Sequence, residues 1–404
     1  MRATIIKILG VALAGVLAMG DIGLLFGMDE GVGISEIFLG LFVLFYITAY
    51  PTDVIRIFKK TKIKYVLGVA LIFACSGIFY LNSSYDLPAV NYKLLACILF
   101  FCVLTSFFLR FPEQLHRSLL AYSIASILFV VLVIYVVPGA SVINKGQLIV
   151  LGENPNSTSS RVAIAAVYLF AFCIQNPLQS SRWRFLFAPG ITVLLVLIVE
   201  SGSRGSLLAV AAAFFVLIMF SNIRIRHKLI MAGIAVLAVS YVAMFLLAHD
   251  GLSDRWMSAA EGDTAGRADI WVDALKIFFH SPLFGIGEAG YFQEIYYLRG
   301  VFIDTHNVFL YVSVCGGVLS LALFCGFLFS IYKRARISMR TGDILPLVLW
   351  LYMILIAFKT GAVLTYLLMW YVFSVVLVYP QASQYFYSNK TSRWAKGGMI
   401  QLAK

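Results

Sequence analysis

The chain has 404 residues, 61% of them hydrophobic and 12% charged, with a formal net charge of +12. Soluble domains carry about 25% charged residues, so this composition excludes an ordinary soluble domain and points to an integral membrane protein. The positive balance reads first as membrane orientation. The basic runs lack the interleaved aromatic residues of a nucleic-acid platform, so no nucleic-acid partner is expected.

Arg2 and Lys7 followed by ILGVALAGVLAMG imitate a secretory signal. Hydrophobic segments continue to residue 380, however, which predicts a retained first membrane helix. A spanning helix needs about 20 apolar residues. The pattern predicts spans near 5–26, 34–54, 65–81, 91–109, 118–137, 160–175, 185–200, 205–220, 229–248, 307–331, 344–359 and 362–380. The expected architecture is an all-α polytopic protein of about twelve transmembrane helices, a single membrane domain over 1–404. The boundary between the seventh and eighth spans is the least defined, because only Ser201–Arg204 separates them.

Twelve spans put both termini on one side. On that side fall 22 of the 31 lysines and arginines, and only Asp53, Glu113 and Asp343 of the 19 acidic residues. Positive residues mark the cytoplasmic face. Both termini are therefore expected inside, and Arg204 and the long polar segment 249–307 outside, in a large loop between the ninth and tenth spans.

That loop has its own pattern. Asp263 or Thr264 is placed to cap a helix beginning near Gly266. Ile270, Trp271, Ala274, Leu275, Ile277 and Phe278 then recur at spacings of three and four, an amphipathic helix expected to lie on the membrane face. Ser281-Pro282 stops it. Gly285, Gly287 and Gly290 predict a flexible turn, followed by the aromatic cluster Tyr291, Phe292, Tyr296 and Tyr297.

Three polar residues have the chemistry of a reaction centre. An arginine in or beside hydrocarbon costs about 2.5–3.5 kcal/mol on insertion scales. Arg204 sits there among Ser201, Gly202, Ser203, Gly205 and Ser206, at the start of the eighth span. A helix N-terminus bearing an arginine is suited to a phosphate. Arg267 opens the amphipathic helix, where a cation is mildly unfavourable by itself, a mispairing that an external anion would relieve. His306, in Asp304-Thr-His-Asn307, can take a proton from a hydroxyl nucleophile near neutral pH. Each also has an ordinary reading: a snorkelling arginine, an exposed arginine paired with Asp263 or Asp269, and a structural histidine.

Other motifs carry less. Cys75, Cys97, Cys102, Cys173, Cys315 and Cys325 lie in apolar segments without metal-ligand spacing and read as small buried hydrophobes. Gly285-Ile-Gly-Glu-Ala-Gly290 matches a dinucleotide fingerprint by letter, but no strand precedes it. Asp29-Glu30 has oxygen ligands for a divalent cation, though an isolated pair reads as a solvated loop. No metal and no cofactor are expected.

The segments SGSRGSLLAV around Arg204, GRADIWVDALKIFFHSPLFGIGEAGYF and THNVFLYVSVCGGVLSLALF resemble the O-antigen ligase family of bacterial envelope enzymes in order, spacing and membrane placement. Gly152-Glu-Asn-Pro-Asn156 also looks like that family. The resemblance covers about 150–335 well and the first half only through its spans. It implies a fold similar to GT-C glycosyltransferases. It also implies transfer of glycan from undecaprenyl diphosphate at the periplasmic face of the inner membrane, without metal or nucleotide. Ligases of the family use lipid A-core as acceptor; polymerases use a growing glycan. Arg204 and Arg267 match its diphosphate-binding arginines and His306 its essential histidine. Ser203, Asn154, Asn156, Arg161 and Asn307 are supporting candidates. The rival class is a polysaccharide or lipid transporter, which places ionisable residues mid-membrane on broken helices in paired halves. Here they fall mostly at helix ends, with Lys359 and Glu200 nearest to exceptions, and no paired halves are visible.

Overall fold

A computed structural model describes residues 1–20, 34–80, 92–144, 146–175, 187–231, 266–340, 342–360 and 362–401, with isolated positions 233, 244 and 257. It is a helical bundle. The helices are α1 (Arg2–Met19), α2 (Ile34–Ala49), α3 (Pro51–Lys60), α4 (Ile63–Gly77), α5 (Tyr92–Arg110), α6 (Glu113–Val131), α7 (Pro155–Gln175), α8 (Ala188–Glu200), α9 (Arg204–Phe220), α10 (Arg267–His280), α11 (Gly287–Arg299), α12 (Val308–Met339), α13 (Leu345–Ala357) and α14 (Leu367–Gln401). One antiparallel hairpin, β1 (Ser141–Asn144) and β2 (Gln147–Val150), joins α6 to α7.

Among the described residues five helices are long and apolar enough to cross a membrane, six if the bent pair α2–α3 is one span; α4, α8, α9 and α13 are shorter apolar helices. The ninth predicted span, 229–248, the Asp29-Glu30 pair and the proposed caps Asp263 and Thr264 lie almost wholly outside the described residues. The second predicted span, 34–54, ends earlier than its apolar run suggests. Helix α2 stops at Ala49 and α3 leaves at 95°. Pro51 causes the bend, because a proline pushes the residue before it out of the helical region, and Tyr50 has φ −140° and ψ 54°. Val54 and Ile57 of α3 are buried while Ile55 is exposed.

Contacts sort to the two ends of the bundle. At one end Lys7 pairs with Glu113 at 2.7 Å and Arg110 pairs with Asp53 at 2.6 Å. At the other, Ser76 Oγ donates to the carbonyl of Phe284 at 2.9 Å and Gln147 Nε2 to that of Ser201 at 3.2 Å. With the charge bias, this predicts that reporters fused after Tyr297 and after Arg340 lie on opposite sides, the first outside. Both reporting from the cytoplasm would overturn the orientation.

The segment 281–290 is not the flexible turn its glycines suggest. Helix α12 breaks at Gly317, where φ is 65° and ψ −171°. The break frees backbone N–H groups that hydrocarbon cannot satisfy. Val318 N donates instead to the carbonyl of Pro282 at 2.8 Å, and Leu319 N to that of Leu283 at 3.4 Å. A Cβ at Gly317 would lie 2.1 Å from that Leu283 oxygen, so the close approach requires glycine. Gly287 starts α11 and Gly290 lies inside it. The letters that imitate a nucleotide fingerprint are a packing device stitched to a broken helix.

Helix α10 also departs from expectation. Its start is Gly266 in the left-handed region (φ 74°), with no side-chain cap. Ile270, Ala274 and Ile277 are buried, and the latter two join the main core. The apolar stripe is thus covered by protein rather than resting on lipid, and Leu275 falls off it, 43% exposed. Arg299 of α11 clasps α10 through Asp273, at 2.7 Å.

Candidate active site at one end of the bundle

The site begins with the turn between α8 and α9. Ser201 N and Gly202 N return to the carbonyls of Leu197 and Val199, and Gly202 takes φ 63°. This reversal makes Arg204 the first residue of α9. Ser203 stands at the cap position but its hydroxyl makes no cap bond. It donates to Asn156 Oδ1 at 2.8 Å, joining α9 to the first turn of α7.

The motif Gly152–Asn156 divides in two. Asn154 Oδ1 accepts from Asn156 N at 2.9 Å and so holds the start of α7, while Asn156 faces Ser203. Arg161 does not join the other arginines. It is 4% exposed and is held by Glu153 through two bonds, Nη1 at 3.0 Å and Nη2 at 2.8 Å. A buried bidentate pair of this kind is a scaffold element. Removing one partner strands the other, which costs about 3–5 kcal/mol.

The second polar helix start is Arg267. One turn on, Trp271 Nε1 donates to the carbonyl of Thr305 at 2.8 Å, tying α10 to the segment that carries His306. The Arg267 guanidinium is held below its ordinary pKa, first by burial and then by the positive charge of Arg204, against the opposing pull of Asp304. The structure therefore brings Arg204, Arg267 and Asp304 within electrostatic reach of one another.

His306 is displayed on a constrained loop. Its φ is 49°, an uncommon left-handed value for a residue other than glycine. Its backbone N donates to Asp304 Oδ1 at 2.6 Å, and its Nδ1 lies 3.1 Å from the same oxygen. Thr305 is fully buried and its hydroxyl donates to the carbonyl of Asn307 at 2.7 Å. Asn307 is a cap: Oδ1 accepts from Phe309 N at 3.0 Å and Leu310 N at 3.2 Å. Nδ1 is thus placed beside a carboxylate oxygen, which can balance the charge of an imidazolium.

Lys359 was legible only as a cation at the end of the eleventh predicted span. In the fold it is 7% exposed, and Nζ donates to Ser203 Oγ at 2.5 Å and Ser206 Oγ at 2.7 Å. Ser159 and Ser160 of α7 bond to the same Ser206 hydroxyl, both at 2.9 Å. Roles for Asp304, Lys359, Ser159 and Ser160 were missed because their partners are set by the fold rather than by local pattern; Ser203 and Ser206 were already visible beside Arg204. Among the described residues no group of three His, Cys, Asp or Glu side chains is spaced to hold a metal ion.

Residues 189–325 match the family described as O-antigen ligase. That region is similar to the O-antigen ligase family. It contains Arg204, Arg267 and His306, whereas Asn156 and Lys359 lie beyond its limits. No curated protein matches the chain significantly. Family and fold together give a multi-pass membrane protein with a glycan-related function of the O-antigen ligase or polymerase type, similar to a glycosyltransferase.

Proposed function

We propose that this O-antigen ligase family protein moves a glycan from undecaprenyl diphosphate to a sugar hydroxyl at the periplasmic face of the bacterial inner membrane, with lipid A-core as acceptor. The reading rests on one arrangement: two arginines at separate helix starts, mutually repelling and partly desolvated, beside an Asp304–His306 pair. Two cations held together favour an anion between them, and a diphosphate leaving group gains charge as the glycosyl bond breaks. Fixed guanidinium groups stabilise that charge without reorganisation. His306 accepts the proton of the attacking hydroxyl through Nε2, and Asp304 steadies the imidazolium that forms.

Purified protein supplied with undecaprenyl-diphosphate-linked glycan and either lipid A-core or a second lipid-linked repeat unit tests this reading. Transfer to lipid A-core is expected, with no transmembrane gradient. Extension of the second unit alone would make the protein a polymerase. Failure with both, alongside gradient-driven movement of lipid-linked glycan, would make it a transporter. Activity is expected to survive excess EDTA, because the arginines take the role of a metal. A loss restored by magnesium or manganese would point to Asp29 and Glu30.

A further inference from the structure

We propose that Lys359 is the third cation of this site, a positioning residue that fixes the first turn of α9 and adds its charge to those of Arg204 and Arg267. The inference rests on the diphosphate reading above. Lys359 follows the end of α13 and reaches across to α9, whose first turn carries Ser203, Arg204, Gly205 and Ser206. Both bonds run from the ammonium to hydroxyl oxygens. Ser203 donates its own hydrogen bond to Asn156 Oδ1, and Ser159 and Ser160 each have the Asn156 carbonyl as acceptor, at 3.1 and 2.7 Å. The network therefore links α13, α9 and α7 through one lysine, four serines and one asparagine.

This network contains no carboxylate, and among the described residues no acidic group forms an ion pair with Lys359. A buried ammonium with only neutral partners is expensive. Arg267 adds to the cost, because its positive charge also acts on Lys359. Lys359 is thus within electrostatic reach of Arg267, and Arg267 within reach of Arg204. An anion bound at this place offsets the cost of the buried ammonium.

The local backbone is shaped around the lysine. A Cβ at Gly205 would lie 2.4 Å from Lys359 Cδ and 3.2 Å from its Cγ and Cε. Glycine after Arg204 therefore leaves the corridor through which the lysine chain passes. Small residues at this turn serve the lysine as well as the helix reversal.

Lys359→Met in the full-length protein separates positioning from bulk support. It keeps the approximate length of the side chain and removes its charge, and with the charge the cost of burying an ammonium among neutral partners. The expected result is an unchanged or higher melting temperature in detergent, with the dissociation constant for inorganic pyrophosphate raised about tenfold, the equivalent of 1.4 kcal/mol. Gly205→Ala retains the charge but displaces it, and should raise the same constant in the same direction; it is the deciding variant if Lys359→Met does not fold. Pyrophosphate binding equal to wild type in the folded variant overturns the proposal while leaving the two-arginine reading intact. A wild-type protein that does not bind pyrophosphate overturns that reading and this inference with it.

Discussion

Replacing His306 with alanine is expected to slow glycan transfer by at least about 100-fold, the usual consequence of losing a general base, and to leave donor binding nearly unchanged. The separation follows from what each group touches. On the proposed reading the arginines hold the leaving group, whereas His306, 3.1 Å from Asp304 through Nδ1, acts on the acceptor hydroxyl. The variant should remain folded. His306 is only partly buried, and the cap of α12 is made by Asn307 rather than by the histidine. Measuring donor affinity and turnover separately on purified variants checks this. A His306→Ala enzyme that transfers glycan at the wild-type rate would reduce His306 to a structural residue on a strained loop. Asp304→Asn gives a second reading of the same step. Its side chain can still accept from the His306 backbone N but carries no charge to balance an imidazolium, so turnover should fall with little change in donor affinity.

Arg204→Lys is expected to lose at least about tenfold in transfer although the charge is kept, because a lysine lacks the planar fork that binds phosphate oxygens in pairs. A lysine at 204 would also bring a more compact, more strongly hydrated charge toward Lys359 and Arg267. Arg267→Ala should weaken both donor binding and transfer. The two arginines repel one another, so their effects should be non-additive. Removing either relaxes the other, and the double variant should bind donor little worse than the poorer single one. Full activity in Arg204→Lys would mean that the site needs only a point charge there, and the bidentate account of diphosphate recognition would fail.

The sequence determined much of this by composition and punctuation. A chain with 12% charged residues and repeated apolar runs has few options other than membrane helices. The polar starts of α9 and α10 and the segment Asp304–Asn307 interrupt that pattern, so Arg204, Arg267 and His306 were visible as residues out of keeping with their surroundings. Asn307 before Val308 is a readable cap, and the structure uses it as one.

Where the information is three-dimensional, the sequence pattern misdirected. The glycines at 285, 287 and 290 look alike in a string. A Cβ at Gly285 or Gly287 would in fact lie 2.4 Å from the backbone of α12 or α4, and Gly290 lies within a helix. Arg161 and Arg204 are both arginines near helix starts. A glutamate eight residues upstream turns Arg161 into a buried scaffold pair, while Arg204 shares its place with Arg267. Lys359 and Ser203 are 156 positions apart, and only the crossing of α13 and α9 joins them. The physical reason is the same in each case. Hydropathy and capping are local properties of a few consecutive residues, whereas the burial of a charge and the identity of its counter-ion depend on which helix ends meet.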